Sequence, residues 1–146
     1  MPIDLTVEDR LELHELYARH SHTVDAFDGE AYALCFTKDG IFATATGRLA
    51  GKVFRGRDQL ARLGSDRDRE PPTKHWTSNI LFTPREDYVE GSCYSMRIQS
   101  DGAAPMIASI AVFQDEIVHE DGAWRFRARR PRLDLERPLD DPSPDD

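Results

Sequence analysis

The chain contains little cysteine: Cys35 and Cys93 are the two such residues among 146. Neither belongs to a CxxC pair or to a Cys/His cluster with metal-ligand spacing, so the patterns of a zinc site and of a disulfide framework are both missing. We therefore predict two reduced thiols buried in the core, the usual environment of free cysteine. We expect neither a metal nor a cofactor.

The sequence also lacks a long hydrophobic run and an excess of positive charge. No stretch approaches the roughly 18 apolar residues that cross a membrane, and the N-terminus has neither the basic nor the apolar region of a signal peptide. The net charge of −8 repels phosphate backbones, and no Lys/Arg stripe is interleaved with aromatic residues. We therefore expect a cytoplasmic protein that binds neither membranes nor nucleic acid.

Several catalytic motifs are missing as well. There is no glycine-rich phosphate loop, no GxSxG and no HExxH, which removes several large enzyme classes. The remaining composition is that of a globular protein, and the length suits one domain. We predict a single domain over residues 1–134 and an acidic tail over residues 135–146, whose prolines and aspartates are typical of disorder.

Helical signals occupy the first part of the chain. Thr6 and Asp9 resemble a capping box, and apolar residues at helical spacing predict a helix from residue 7 to about residue 24. Two shorter helices are predicted at residues 30–36 and 57–63, the first of them carrying Tyr32, Leu34 and Phe36 into the core. A turn at residues 38–40 separates that helix from a strand at residues 41–46.

The rest of the chain is dominated by strand patterns, with a solvated loop at residues 64–72. We predict a turn and short return strand within residues 47–56, and longer strands at residues 74–83, 88–99, 105–118 and 124–133. The pair Asp121-Gly122 marks the last hairpin. Helices followed by long antiparallel strands predict an α+β fold, in which a curved sheet wraps the first helix and encloses a cavity.

Asp25 and His75 are candidates for acid–base chemistry. Asp25 follows the first helix, whereas His75 starts a strand that has Thr77 and Asn79 on the same face and Trp76 on the other. The face of His75 either meets solvent or lines a polar pocket, and the pattern leaves both readings open. A carboxylate beside an imidazole fixes its tautomer and stabilises the imidazolium, which makes a general base near neutral pH.

Two residues of the first helix are further candidates. His20 lies three residues after Tyr17 and shares its helix face, and the Tyr17 hydroxyl could protonate or orient a substrate oxygen. The remaining histidines, which we expect at the surface or off that face, are His14, His22 and His119.

The last predicted strand contains two adjacent arginines, Arg129 and Arg130, which must point to opposite faces. Arg130 has the same parity as Trp124, Phe126 and Ala128, which favours Arg130 as the inward residue. A β-bulge would reverse this choice.

Taken in order, a set of short motifs resembles the SnoaL-like branch of the NTF2-like superfamily over about residues 5–134. The motifs are Leu16-Tyr17, Val24-Asp25, Phe36-Thr37-Lys38-Asp39-Gly40, His75 with Asn79, and Asp121-Gly122-Ala123-Trp124-Arg125-Phe126. Within that branch the chain is similar to the group containing scytalone dehydratase, bile-acid 7α-dehydratase and hexachlorocyclohexane dehydrochlorinase. These enzymes share a His/Asp dyad that removes a proton while a neighbouring group departs.

The resemblance implies a cone of three N-terminal helices packed in a curved, mostly antiparallel sheet. It makes His75 the base and Asp25 its orienting partner, with Tyr17 beside them. Arg129 matches the arginine of the dehydrochlorinase pattern, and we follow that match over strand parity. His20 stands where the pattern has a basic residue, and as a histidine it can be neutral and can donate or accept a proton.

The function expected from the resemblance is that of a cofactor-independent lyase or isomerase of the dehydratase or cyclase type. Its substrate would be small and largely apolar, resembling a polyketide or a steroid, with Asn79 and Trp76 as substrate-binding residues. A homodimer or higher homo-oligomer is expected on the same ground. The alternative is a non-catalytic module of this fold that binds a small ligand or serves assembly.

Overall fold

The structure is a computed structural model that describes residues 1–44, 49, 51–68, 72–100 and 102–132. These residues form three helices and six strands: α1 (Val7–Asp25), α2 (Gly29–Leu34), β1 (Phe36–Ala43), β2 (Val53–Arg55), α3 (Gly56–Ser65), β3 (Thr73–Pro84), β4 (Val89–Gln99), β5 (Met106–Glu120) and β6 (Ala123–Arg132). The predicted α+β order and the four long strands are confirmed. The predicted tail at residues 135–146 lies outside the described residues. Of the turn and return strand predicted within residues 47–56, the structure describes positions 49 and 51–56. No helix in the described ranges is long and apolar enough to cross a membrane.

The capping box predicted for α1 is present. The Thr6 hydroxyl accepts a hydrogen bond from the backbone N–H of Asp9 (3.1 Å), and the Asp9 carboxylate accepts one from the backbone N–H of Thr6 (2.9 Å). Asp9 also accepts a hydrogen bond from the Trp124 indole (2.9 Å), which ties the start of α1 to β6. With its start fixed, the nineteen-residue helix ends at Asp25.

The strands form one mixed, open and curved sheet in the order β2-β1-β6-β5-β4-β3. The pairing of β1 with β6 is parallel, and the other strand pairs are antiparallel. Helix α1 packs against β3 and β6, whereas α2 packs on α3, which in turn contacts β1. The inner face of the sheet is therefore the face that α1 covers.

The predicted turn at residues 38–40 is wrong as an element boundary, because β1 starts at Phe36 and continues through it. The pairing with β6 slips between Phe36 and Ile41, so the intervening residues form an irregular segment within the strand. A Cβ atom at Gly40 would lie only 2.7 Å from the Cβ of Phe36, so this close approach requires glycine. Pairing with a neighbouring strand has overridden the local turn signal.

Helix α2 is shorter than predicted. It starts at Gly29, where the Asp28 carboxylate accepts a hydrogen bond from the backbone N–H of Ala31, and it ends at Leu34. Tyr32 is buried as predicted, but Leu34 is 50% exposed, so its assignment to the core was wrong. Leu34, the last residue of α2, lies outside the face of the helix that packs on α3.

A β-bulge in β6 decides which arginine points inward. The pairing of β6 with β5 slips at Arg127, which is an extra residue relative to β5. Beyond that point the alternation is reversed, so Arg129 pairs with Asp115 on the inner face and is 2% exposed, while Arg130 is exposed. Strand parity wrongly favoured Arg130 as the inward residue, because β6 is not a regular strand.

A second bulge lies in β3. The pairing of β3 with β4 slips between Ser78 and Leu81, and Asn79 adopts the left-handed backbone conformation (φ 54°). After the bulge Ile80 and Phe82 pack against the core. The bulge therefore changes which alternate residues of β3 face inward.

Candidate active site

Asp25 and His75 are in direct contact. The Nδ1 atom of His75 lies 2.6 Å from Oδ1 of Asp25, and the backbone N–H of His75 donates to Oδ2 of the same carboxylate at 3.0 Å. An ionised carboxylate only accepts, so in the neutral imidazole this contact favours the tautomer with the proton on Nδ1 and the lone pair on Nε2. The two side chains are 25% and 9% exposed, which leaves His75 accessible to a ligand. This is the geometry of a general base with an orienting partner.

A second contact aligns the same two elements. Ser21 lies one helical turn before Asp25, and its hydroxyl is 3.3 Å from the hydroxyl of Thr77, two residues after His75. Successive turns of α1 thus meet alternate residues of β3, as the periods of a helix and a strand allow. The register between α1 and β3 is therefore set by two polar pairs, of which the dyad is one.

His20 lies in an aromatic cage on the inner side of α1. The rings around it belong to Tyr32, Phe36, Phe42 and Phe126. Burial holds the pKa of His20 well below its ordinary value, and the charges of Arg129 and His75 act in the same direction. Its Nε2 atom is buried and has no hydrogen-bond partner among the described residues. His20 is thus a neutral imidazole with one uncommitted nitrogen.

Arg129 is part of a buried polar network. Its Nε and Nη2 atoms donate to the two carboxylate oxygens of Asp115 at 2.9 and 3.2 Å, and Nη2 also contacts the sulfur of Cys93 at 3.4 Å. Burial opposes the charged guanidinium, but Asp115, Cys93 and Tyr17 together outweigh burial, and the pKa of Arg129 is raised. The guanidinium lies 4.5–5.1 Å from the centres of three rings, those of Tyr17, Phe113 and Phe126. The positive charge of Arg129 is therefore balanced within the core.

The Tyr17 hydroxyl belongs to the same network. It donates to Oδ2 of Asp115 at 2.5 Å, and the residue is almost fully buried. Burial, followed by the charge of Asp115, raises the pKa of Tyr17 well above its ordinary value. The phenol packs on Gly91, where a Cβ atom would clash with its oxygen. Tyr17 therefore anchors Asp115, and its proton is not available as that of a free acid.

The sequence also matches a known domain family. The sequence profile described as a SnoaL-like domain matches residues 5–130. The chain belongs to the SnoaL-like family.

Solved structures share this fold. The SnoaL-like chain is 31% identical to Rv3472 of Mycobacterium tuberculosis, a protein of unknown function, over 87% of this chain and 77% of that one (TM-score 0.77). It is 25% identical to Aln2 from a Streptomyces species over 90% and 96% of the two chains (TM-score 0.74). A protein of Catenulispora acidiphila, solved in complex with S-DNPA, is 22% identical over 86% and 93% (TM-score 0.74). Sequence comparison found no match among curated proteins.

Two predicted site residues do not lie on the inner face of this SnoaL-like domain. Trp76 is 60% exposed, because strand alternation turns the neighbour of His75 outward. Asn79 is the exposed residue of the β3 bulge. The assignment of both residues to substrate binding stays a prediction, and neither side chain lines the inner face. His14, His22 and His119 are exposed, as predicted.

The sequence patterns did not identify Asp115 and Arg97 as candidate site residues. Asp115 stands between Phe113 and Ile117 at alternate positions of β5. This alternation could have indicated a carboxylate on the buried face of the strand. Arg97 pairs directly with His75 across β3 and β4, a register that no single-sequence pattern encodes. Cys35 and Cys93 are buried free thiols, as predicted, and burial raises the pKa of each to about 11.

Proposed function

We propose that this SnoaL-like protein is a cofactor-independent lyase or isomerase of the dehydratase or cyclase type. The observation that carries the proposal is the 2.6 Å contact between His75 Nδ1 and the Asp25 carboxylate, which directs the basic Nε2 away from Asp25. The substrate is a small, largely apolar molecule of polyketide or steroid type. The family supports this reading, as does the small molecule bound by the neighbour from Catenulispora acidiphila.

In the proposed reaction His75 Nε2 takes a proton from an acidic C–H group of the substrate. The C–H electron pair stays on the substrate, and the Asp25 carboxylate stabilises the imidazolium that forms. In an elimination, that electron pair forms a double bond as a C–O bond breaks, and the imidazolium proton leaves with the oxygen as water. In an isomerisation, the same proton returns to a different carbon.

His20 and the buried network of Tyr17, Asp115 and Arg129 assist the reaction without removing the proton. The uncommitted Nε2 of neutral His20 can hydrogen-bond a substrate group that enters the aromatic cage. Tyr17 and Arg129 are both committed to Asp115, which joins α1, β5 and β6, so we assign them a positioning role. Their effect on chemistry is to hold α1, and with it Asp25, in place.

We also propose that the protein acts as a homodimer in the cytoplasm. The resemblance to the superfamily supports the dimer, and the outer face of β3, β4 and β5 carries exposed apolar side chains that suit such a contact. These include Trp76 and Tyr94, which are more than half exposed.

The first test measures proton abstraction without knowledge of the product. Enolisable aromatic and steroid-like carbonyl compounds are incubated with the protein in heavy water, and deuterium uptake at carbon is followed by mass spectrometry. His75→Ala should lower the rate of exchange or turnover by about 10² to 10⁴, because the general base is lost. His22→Ala, which removes an exposed histidine of the same α1 helix, is the matched control and should behave as wild type. Equal exchange in His75→Ala and wild type would end the proposal.

The alternative function, a binding or assembly module, gives a different result in the same assay. Compounds would bind, but none would take up deuterium in the presence of wild-type protein. Asp25→Asn separates the two functions as well. It should reduce turnover by about 10² or more if Asp25 fixes the imidazole tautomer, whereas a mere binding module would show a modest change in affinity.

A further inference from the structure

Arg97 lies directly beside His75 on the inner face of the sheet. The two residues are paired across β3 and β4, and such opposite residues have Cβ atoms about 4.5–5.5 Å apart on the same face. Cys93, at the same parity of β4, contacts the buried Arg129, which confirms that this set of side chains points inward. Arg97 therefore shares the face on which His75 meets Asp25.

The Arg97 guanidinium has no hydrogen-bond or ion-pair partner among the residues that the structure describes. Its Nε atom is buried without a hydrogen-bond partner, and Arg97 forms no ion pair with any residue of the described ranges. A buried charged donor that lacks a partner is costly, and proteins normally pair such groups. The other inward arginine, Arg129, illustrates the usual solution, because Asp115 engages two of its nitrogens. Arg97 is thus a cation without an anionic acceptor among the described residues, and strand pairing places it opposite the candidate base.

We propose that Arg97 is a catalytic residue that binds the oxyanion formed when His75 removes a proton. This inference rests on the proposed function and narrows it: the substrate is a carbonyl compound whose acidic C–H group lies next to the carbonyl carbon. As the C–H bond breaks, its electron pair forms a C=C bond and the carbonyl electrons move to oxygen, giving an enolate. The Arg97 guanidinium donates to that oxygen, while the proton resides on His75 Nε2.

Arg97 fits the role of an anion stabiliser better than the other inward arginine, Arg129. An anion stabiliser must have donors free to meet charge that develops on the substrate. Arg129 commits Nε and Nη2 to Asp115, whereas Arg97 Nε has no partner within the described ranges. The Arg97 side chain as a whole is only partly buried, so a ligand can reach the guanidinium. The register of β3 and β4 brings Arg97 to the dyad.

Phenolates test this site without any turnover, since a phenolate oxygen resembles an enolate oxygen. Binding of 4-nitrophenol is followed by the visible absorbance of its ionised form, in a His75→Gln background, so that an imidazolium cannot act as the binding cation. We expect the protein to bind the ionised phenol, and Arg97→Gln to weaken that binding about 10- to 100-fold, as expected for a lost charge-assisted hydrogen bond. Arg130→Gln, which removes an exposed arginine of β6, is the control and should change nothing.

Three outcomes would overturn the role of Arg97. They are equally tight phenolate binding by Arg97→Gln, binding of the neutral phenol alone, and no binding at all to folded protein. Circular dichroism establishes folding of each variant. If Arg97→Gln does not fold, Arg97→Lys replaces it: it keeps the charge but loses the planar pair of donors, so binding should fall several-fold, and unchanged binding would again overturn the role.

The kinetic readout separates this inference from the proposed function. With a compound that exchanges deuterium, Arg97→Gln in the otherwise wild-type protein should lower kcat with little change in KM, because the oxyanion exists only after proton transfer begins. A loss confined to KM would mean that Arg97 binds a permanent anion, and the enolate assignment would fail. Dependence of exchange on His75 would still stand in that case.

Discussion

At the scale of single residues, burial and partners give identical side chains different chemistry. His75 is partly exposed and held by a carboxylate, whereas His20 is enclosed by four rings and kept neutral. Arg129 forms an ion pair with Asp115, whereas Arg97, opposite His75 in the strand register, has a nitrogen that no described residue pairs. The sequence supplies these residue types, but their roles depend on what each one contacts.

The buried neutral state of His20 predicts an acid-sensitive fold. Because the pKa of His20 lies well below its ordinary value in the folded protein, the unfolded chain alone takes up this proton as the pH falls below about 6.5. Its contribution to stability is therefore complete above that pH and is lost below it, by up to about 1.4 kcal/mol per pH unit until the pKa of the folded state is reached.

Urea unfolding at about pH 7 and about pH 5.5 measures this effect. His20→Leu should reduce the difference in unfolding free energy between the two conditions by about 1 kcal/mol relative to wild type. His22→Leu, at an exposed position of the same helix, should retain the wild-type difference. The same pH dependence in His20→Leu and wild type would show that His20 does not cause it.

At the scale of elements, regular patterns were predictable and irregular ones were not. The capping box at Thr6 and Asp9 and the alternation within β3 to β6 are local signals, and the structure confirms the elements that they predict. The sequence did not predict the positions of the bulges at Arg127 and Asn79, because bulges arise from pairing between strands. The β6 bulge reversed the parity argument for Arg130 and turned Arg129 inward, whereas the β3 bulge left Asn79 exposed.

Asn79 offers a test of this structural role. Its backbone is in the left-handed region (φ 54°), where glycine and asparagine are tolerated and β-branched residues are strained. We expect Asn79→Val to lower the free energy of unfolding by about 1–2 kcal/mol, and Asn79→Gly to leave it within a few tenths of wild type.

Activity of the folded Asn79→Gly variant provides the complementary measurement. Because the Asn79 side chain is exposed at the bulge, deuterium exchange should remain at the wild-type rate. Loss of exchange in a fully stable Asn79→Gly variant would support Asn79 as a substrate contact, as the sequence suggested.

At the scale of the whole molecule, the outer face of the sheet carries exposed apolar side chains. Across β3, β4 and β5, Trp76 is aligned with Met96 and Ile110, and the neighbouring row contains Tyr94 and Val112. Trp76 and Tyr94 are 60% and 52% exposed. Contiguous exposed apolar surface of this kind is typical of protein contacts. A second copy of the chain is the partner that we expect.

The double variant Trp76→Lys/Tyr94→Lys should convert the expected homodimer to a monomer, because it places four like charges in the paired interface. Sedimentation velocity at micromolar concentration gives the mass directly. Leu34→Lys removes a similarly exposed apolar residue from α2 and should remain dimeric. A monomeric wild-type protein would refute the dimer, and a dimeric double variant would refute this face as its interface.

The sequence by itself determined the α+β order, the start of α1, the long strands and the two residue types of the dyad. These follow from periodicity, capping and composition, which act over a few neighbouring residues. Tertiary structure alone decided that Asp25 meets His75, that Arg129 is neutralised by Asp115 and that Arg97 stands beside the base. Such contacts join residues 14 to 50 positions apart, and they depend on strand register and bulges, which only long-range pairing can fix.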